Sequence, residues 1–145
     1  MEDNNLPEDP IVMYIIINET LGMSLGKTCA QVGHAVQMLM QEYSSLKSTS
    51  DMGSIDYTGS IGLTTEDYAK LELINNWLET SYTKITLKAD LKEWEKIKLE
   101  YKDSMYLVKD KGLTEILPGS ETVIGLFPMK KSERSKTLKR LQALK

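Results

Sequence analysis

Seven consecutive apolar residues, Ile11 to Ile17, constrain the fold of this chain more than any other feature. The run is rich in β-branched side chains, and it is much shorter than the ~20 residues that a membrane-spanning helix needs. A strand without polar side chains on either face is typical of the middle of a sheet that is covered on both sides. The sequence therefore predicts a central buried strand around which the rest of the chain packs.

Helical and strand patterns alternate after this run, which favours an α/β domain. Helical patterns cover residues 26–43, 64–77, 90–101 and 132–144, and strand patterns cover residues 83–87, 105–108 and 122–127. We predict one α/β domain over residues 11–145, a mixed four-stranded β-sheet flanked by helices on both faces. Residues 1–10 are predicted to be a flexible acidic arm. Residues 44–62, in which Ser, Thr, Asp and Gly dominate, are predicted to be a surface loop.

The first helical pattern predicts two faces at 100° per residue. Its core face is predicted to carry an apolar set: Cys29, Val32, Gly33, Val36 and Met40. Its solvent face is predicted to carry Lys27, Gln31, His34 and Met38.

The amino-acid composition limits the kinds of site that this chain can form. The single cysteine, Cys29, excludes an internal disulfide framework, and one histidine, His34, gives no basis for a zinc centre. The acidic N-terminus lacks the basic-then-apolar order of a signal peptide. We therefore expect a cytoplasmic protein without a metal, a cofactor or a membrane segment.

Charge is distributed unevenly although the net charge is only −3. The first ten residues carry four acids and no base, whereas the last seventeen carry seven bases and one acid, Glu133. The seven bases are Lys130, Lys131, Arg134, Lys136, Lys139, Arg140 and Lys145. The basic tail is either the solvated face of a helix or a surface that faces phosphates, since binding a polyanion requires local positive potential rather than a basic average.

Two polar segments are candidates for chemistry. The first, Gly26 to Ala35, follows the buried strand, and ligands in open α/β folds bind beyond the carboxyl ends of strands. The second, Asp110 to Thr122, connects two predicted strands. A solvated helix face and a long loop stabilised by Asp and Thr side chains are the structural alternatives. Gly26-Lys27-Thr28 also resembles the end of a phosphate-binding loop, but Leu21 stands where that motif requires glycine.

Together the two segments resemble the signatures of the archaeal/eukaryotic-type (type 2) peptidyl-tRNA hydrolase family. The first signature is matched by Met23, Gly26, Lys27, Ala30, Gln31, His34 and Ala35. The second is matched by Asp110, Gly112, Thr114, Ile116, Pro118, Gly119, Ser120 and Thr122, followed by Gly125 and Pro128. Three residues depart from the family pattern: Cys29, Lys111 and Phe127. Lys111 matters most, because a cation that approached Asp110 would lower the pKa of that acid.

The resemblance implies hydrolysis of the ester that joins a peptide to its tRNA, with Lys27, Asp110, Thr114 and Thr122 as catalytic residues and Gln31 and His34 as supporting ones. Asp110 would orient or deprotonate water, Lys27 would stabilise an oxyanion or hold Asp110, and the threonine hydroxyls would position water or the substrate. Direct attack by water fits better than a covalent intermediate, since His34 would be the one base available to a nucleophile.

Peptidyl-tRNA is thus the expected partner, and the family suggests a homodimer. We expect Lys130, Lys131 and Arg134 to bind tRNA phosphates. The main alternative is a catalytically silent module that binds tRNA or protein, in which Lys111 disables Asp110. A small nucleotide-binding domain is a third alternative, and it is based on Gly26-Lys27-Thr28 alone.

Overall fold

The computed structural model describes residues 8–51, 62–112 and 116–145. Helices and strands follow one another in the order β1 (Ile11–Asn18), α1 (Leu25–Asp51), α2 (Thr65–Thr80), β2 (Lys84–Ala89), α3 (Leu91–Glu100), β3 (Met105–Lys109), β4 (Glu121–Leu126), β5 (Met129–Lys130), α4 (Lys136–Arg140) and β6 (Gln142–Ala143). Short 3₁₀ turns cover Glu19–Leu21 and Lys131–Glu133.

The described strands form one mixed sheet in the order β3-β4-β1-β2-β6, with β5 paired to the start of β1. Strand β1 runs parallel to β2 and antiparallel to β4, and β3 is antiparallel to β4. The carboxyl ends of β1, β2 and β3 therefore lie at the same edge of the sheet, which we call the carboxyl edge.

Strand β1 is buried on both faces, as its sequence predicts. One face of the strand packs on Trp94 and Ile97 of α3. The other face packs on α1 and α2, through Leu39 and Trp77 among others. The prediction of a single α/β domain with helices on both faces is confirmed.

Gly125 leaves room for Ala35 of α1 to pack directly on β4. A Cβ added to Gly125 would lie 3.0 Å from Met13 Cε and 3.1 Å from Ala35 Cβ. This close approach fixes the position of α1 relative to the sheet, and α1 carries half of the candidate site.

The sheet has six strands among the described residues rather than the predicted four. The two additional strands, β5 and β6, have two residues each, too few to show an alternating pattern.

The terminal helix predicted over residues 132–144 is wrong. Arg134 has an extended backbone, Ser135 caps the five-residue α4, and Gln142–Ala143 pair with β2. Leu138 and Leu141 are buried, and the pairing of Gln142–Ala143 with the edge of β2 ends the helix after Arg140.

The loop predicted over residues 44–62 begins later than expected, because α1 continues to Asp51. The Tyr43 hydroxyl donates to Asn75 Oδ1 of α2 at 2.8 Å and holds α1 against α2 just before this extension. Residues 52–61 lie outside the described residues, as do residues 1–7 of the predicted arm.

The predicted faces of α1 are partly wrong. Its buried side chains are Thr28, Gln31, Ala35 and Leu39, whereas Cys29 and Gly33 are exposed. The buried face of α1 was predicted from apolar residues alone. Two of the residues that are buried are polar, and they satisfy their hydrogen bonds inside the protein. Val32, Val36 and Met40 do pack against the core.

Candidate active site

Two segments that are far apart in the sequence meet at the carboxyl edge. Lys27 lies in the first turn of α1, which begins after β1 and the 3₁₀ turn, and Asp110 directly follows β3. The Lys27 ammonium donates a hydrogen bond to Asp110 Oδ1 and forms an ion pair with it. Their side chains are 8% and 4% exposed, so this pair is almost completely buried. The convergence of Lys27 and Asp110 that the mechanism requires is present.

The loop after β3 fixes the Asp110 carboxylate. The Gly112 amide donates to Asp110 Oδ2 at 2.7 Å, and the Asp110 backbone is bonded to Ser120 and Gly119 at 2.8 and 2.7 Å. Gly112 has φ +78°, and a Cβ there would lie 2.3 Å from Pro118 Cγ. Only glycine fits this position, so the backbone donor to Asp110 depends on it.

Asp110 is held in its ionised form. The hydrogen bond from Lys27 lowers the pKa of Asp110 below its ordinary value of 3.8, with further lowering from the Gly112 amide and the charges of Lys27 and His34. Burial opposes this shift without reversing it. A carboxylate with a lowered pKa accepts hydrogen bonds well but is a weak proton acceptor, so it is suited to orienting a hydroxyl group rather than to removing its proton.

Behind the ion pair, Thr122 is buried and positions Gln31. Its hydroxyl donates to Gln31 Oε1 at 2.6 Å, and the Val108 carbonyl lies 3.2 Å away. Thr122 is 0% exposed, so a substrate does not reach its hydroxyl directly. The bond determines which end of the Gln31 amide faces Thr122.

The ion pair opens into a cleft of ≈ 800 Å³ between α1 and β3. Its walls carry Gly26, Lys27, Ala30, Gln31, His34, Gln37 and Met38 from α1, and residues 107–111 from β3 and the following loop. His34 is exposed here, two helical turns beyond Lys27. The buried ion pair is thus accessible from a space large enough for an extended substrate.

Lys111 also lines the cleft, and its side chain is exposed. The cation bonded to Asp110 is Lys27, and Lys27 rather than Lys111 is the leading cause of the lowered pKa. Thr114, the fourth residue predicted to be catalytic, lies outside the described residues.

The residues predicted to bind tRNA phosphates lie at the opposite end of the sheet. Lys130 pairs with Ile11 at the start of β1, whereas the ion pair lies beyond the end of β1. At ~3.3 Å per residue, β1 separates the two places by roughly 23 Å. Lys130 and Lys131 are exposed, and the Arg134 guanidinium lies 6.0 Å from the centre of the Tyr14 ring. Acidic groups lie nearby, since Asp9 accepts two hydrogen bonds from Ser132.

Sequence reasoning missed two residues that organise the carboxyl edge. Asn18 ends β1, and its amide donates to the Glu121 carbonyl at 2.8 Å. Glu121 accepts from Trp94 Nε1 at 3.0 Å and from Lys98 Nζ at 2.7 Å, which ties α3 to the start of β4. The signal available in the sequence was the polar Asn18 that closes an otherwise apolar run.

Within the described residues, no group of three or more His, Cys, Asp or Glu side chains could hold a metal ion. No helix in these parts of the chain is long and apolar enough to cross a membrane.

A family model described as peptidyl-tRNA hydrolase PTH2 matches residues 11–144, nearly the whole chain. The match spans the central strand, the Lys27 and Asp110 segments and most of the basic tail. The chain therefore belongs to the PTH2 family of peptidyl-tRNA hydrolases.

Proposed function

We propose that this chain hydrolyses the ester between the peptide and the 3′-terminal ribose of peptidyl-tRNA, with Lys27 and Asp110 as the catalytic pair. The single observation that carries the proposal is the buried contact between the Lys27 ammonium and the Asp110 carboxylate at the end of a large cleft. Family membership supports the reaction class.

In this mechanism Asp110 accepts a hydrogen bond from a water molecule and orients it towards the ester carbonyl. The lowered pKa of Asp110 favours orientation over full deprotonation before attack. As the water oxygen bonds to the carbonyl carbon, negative charge develops on the carbonyl oxygen, and Lys27 stabilises it. The bond to the ribose oxygen then breaks, and that oxygen leaves with the proton supplied by water. The products are a peptide with a free carboxyl group and a tRNA with a free hydroxyl.

Gln31 and Thr122 act as positioning residues in this proposal. Thr122 holds the Gln31 side chain, and Gln31 lines the cleft next to Lys27. His34, exposed further along the cleft, would contact the substrate. Thr114 remains a predicted catalytic residue from the family resemblance alone.

The rival proposal, a binding module without catalysis, requires Lys111 to disable Asp110. Lys111 is exposed, whereas Asp110 is bonded to Lys27 and Gly112. These contacts favour a working site.

The direct test is hydrolysis of a purified N-blocked aminoacyl-tRNA. We expect multiple turnovers with release of free tRNA, and no loss of activity after treatment with a chelator. Binding of the substrate without its cleavage would support the silent module. The same preparations would test the predicted homodimer by sedimentation, and cell fractionation would test the predicted cytoplasmic location.

A further inference from the structure

The cleft extends well beyond the ion pair, along α1. Its lining runs from Lys27 to Met38, and at ~1.5 Å per helical residue these two residues are roughly 16 Å apart along the axis. At the far end, the Tyr106 hydroxyl donates to Glu42 and joins β3 to α1. The cleft is therefore a groove with the Lys27–Asp110 pair at one end, and it is longer than cleavage of a single ester requires.

The second wall of this groove is the outer edge of β3. Leu107, Val108 and Lys109 of β3 line it without a break, followed by Asp110 and Lys111 of the next loop. Alternate side chains of a strand point to opposite faces, so an unbroken run along one wall means that the backbone contributes to that wall. Strand β3 is the last strand on its side of the sheet among the described residues.

The hydrogen bonds between β3 and β4 show which backbone groups point into the groove. The Phe127 amide donates to the Ser104 carbonyl at 3.0 Å, and the register pairs Tyr106 with Gly125. Because partners alternate along an antiparallel ladder, Tyr106 and Val108 direct their amide and carbonyl groups to β4. The register shifts between Val108 and Lys109, but the Asp110 amide donates to the Ser120 carbonyl at 2.8 Å. Leu107 and Lys109 therefore direct their amide and carbonyl groups away from β4, towards the groove. A strand edge of this kind is a template for another extended chain.

We propose that the peptide part of the substrate binds in this groove as an added strand on the outer edge of β3; the inference rests on the proposed function. The esterified carbonyl would lie at the Lys27–Asp110 pair, and the peptide would extend back towards Met38. Since β3 runs towards Asp110, the bound peptide runs parallel to β3. At ~3.3 Å per residue, a groove of roughly 16 Å holds about four or five residues.

The chemistry of the walls suits a peptide. Ala30 and Met38 provide apolar surface on the α1 side, and the β3 side provides backbone donors and acceptors. Strand addition binds through the main chain, so its affinity depends little on side-chain sequence. Recognition of this kind would let the groove hold peptides of different sequence.

The test compares substrates that share one tRNA and differ in the peptide, from N-acetyl-aminoacyl-tRNA to N-acetyl-hexapeptidyl-tRNA. We expect kcat/KM to rise with peptide length up to about four or five residues, mainly at alternate residues, which face β3, and then to level off. A net gain of ~0.5–1.5 kcal/mol per hydrogen bond corresponds to a factor of about 2–10 each. Methylation of the peptide nitrogens should remove the gain, whereas exchange of the side chains should change it little.

A proline substitution tests the groove from the protein side. Leu107→Pro removes an amide that points outward from the sheet, and an edge strand tolerates proline at such a position. This variant should show a smaller increase of kcat/KM with peptide length. Met105→Pro is the matched control, because Met105 is the next outward position on β3 but lies outside the cleft lining. The Met105→Pro variant should retain the increase of kcat/KM with peptide length.

Three outcomes separate the two proposals. If no substrate of the series is hydrolysed, the proposed function fails. If the substrates are hydrolysed but kcat/KM does not change with peptide length or N-methylation, the strand proposal is overturned while the function stands. A length effect that follows side-chain identity instead would indicate pockets rather than strand addition and would also overturn it. The substrate series decides the question even if Leu107→Pro does not fold.

Discussion

Two of the lysine–carboxylate pairs at the carboxyl edge of the sheet, Lys27–Asp110 and Lys98–Glu121, differ in exposure. Lys27 and Asp110 are 8% and 4% exposed and lie at the end of the cleft. Lys98 and Glu121, 2.7 Å apart, are 24% and 28% exposed and join α3 to the start of β4. In both pairs, a hydrogen bond from the lysine is the leading cause of a lowered carboxyl pKa.

The difference shows which pair is suited to chemistry. A partly exposed ion pair adds little to stability, about 1 kcal/mol or less, and Lys98–Glu121 has the geometry of such a structural link. Burial of an ion pair costs desolvation free energy that is often not recovered. A buried pair accessible from a cleft is therefore a candidate for function, because low exposure strengthens its electrostatic effect on a bound substrate.

The largest expected effect is that of Asp110→Asn on turnover. The substitution preserves size and hydrogen bonding but removes the charge that orients water and holds Lys27. We expect kcat to fall by about 10²–10⁴-fold with a folded, monodisperse protein. Single-turnover hydrolysis of N-acetyl-aminoacyl-tRNA measures this loss.

Glu121→Gln is the matched control for Asp110→Asn. Glutamine retains an acceptor for Trp94 Nε1, and Glu121 does not line the cleft. We expect turnover within about twofold of wild type. A comparable loss of turnover in both variants would mean that the two pairs do not differ in the way proposed.

Thr122→Val should have the next largest effect, because it removes the hydroxyl that positions Gln31. A displaced group in a positioned site costs up to about 10²-fold, and we expect a loss of kcat of roughly 10- to 100-fold with little change in KM. Thr122→Ser retains the hydroxyl and should restore most of the rate. A serine variant as slow as the valine variant would contradict the positioning role, because serine retains the hydroxyl and valine retains the methyl group.

A smaller effect is expected at the other end of the sheet, at Lys130, Lys131 and Arg134. Replacing all three with alanine should raise the KM for peptidyl-tRNA while leaving kcat on a short nucleotide ester unchanged. Each lost phosphate contact should flatten the log–log dependence of binding on salt by roughly 0.7–0.9. An unchanged salt slope would mean that tRNA binds to another surface. The next candidates would be Lys88, Lys92 and Arg140, near the carboxyl edge.

The smallest expected effect is the pH dependence of stability at Glu121. Its folded pKa lies below the ordinary value of 4.5, so the unfolded state binds a proton more readily. The contribution is complete above about pH 4.5 and is lost as pH falls through the folded pKa. Urea unfolding should therefore show wild type more stable than Glu121→Gln at pH 7, with a difference that shrinks in acid. A difference in stability that does not change with pH would mean that packing, rather than the charge of Glu121, causes it.

Local signals in the sequence predicted much of the fold. The apolar run placed β1, and the helical pattern from residue 64 placed the start of α2, where Thr64 and Asp67 form a reciprocal capping box. The two-residue strands β5 and β6 could not be predicted, since they depend on pairing with β1 and β2. The end of α1 was missed because Ser, Thr and Asp dominate residues 44–51, and such residues favour loops over helix interiors.

The candidate site was harder to predict than the fold. Lys27 and Asp110 are 83 positions apart, and no local pattern indicates that they touch. The family resemblance supplied that pairing. It did not indicate that Gln31 is buried, because periodicity assigns polar residues to the solvent face, whereas Gln31 is paired with Thr122 inside the domain.

The most direct test of the central claim is a double-mutant cycle on Lys27 and Asp110, with single-turnover hydrolysis of N-acetyl-aminoacyl-tRNA as the readout. If the two residues act as one unit, Lys27→Ala combined with Asp110→Asn should be about as slow as the slower single variant, because losses within a unit are not additive. Wild-type turnover in either single variant, or losses that multiply in the double variant, would contradict the assignment of this pair as the hydrolytic centre.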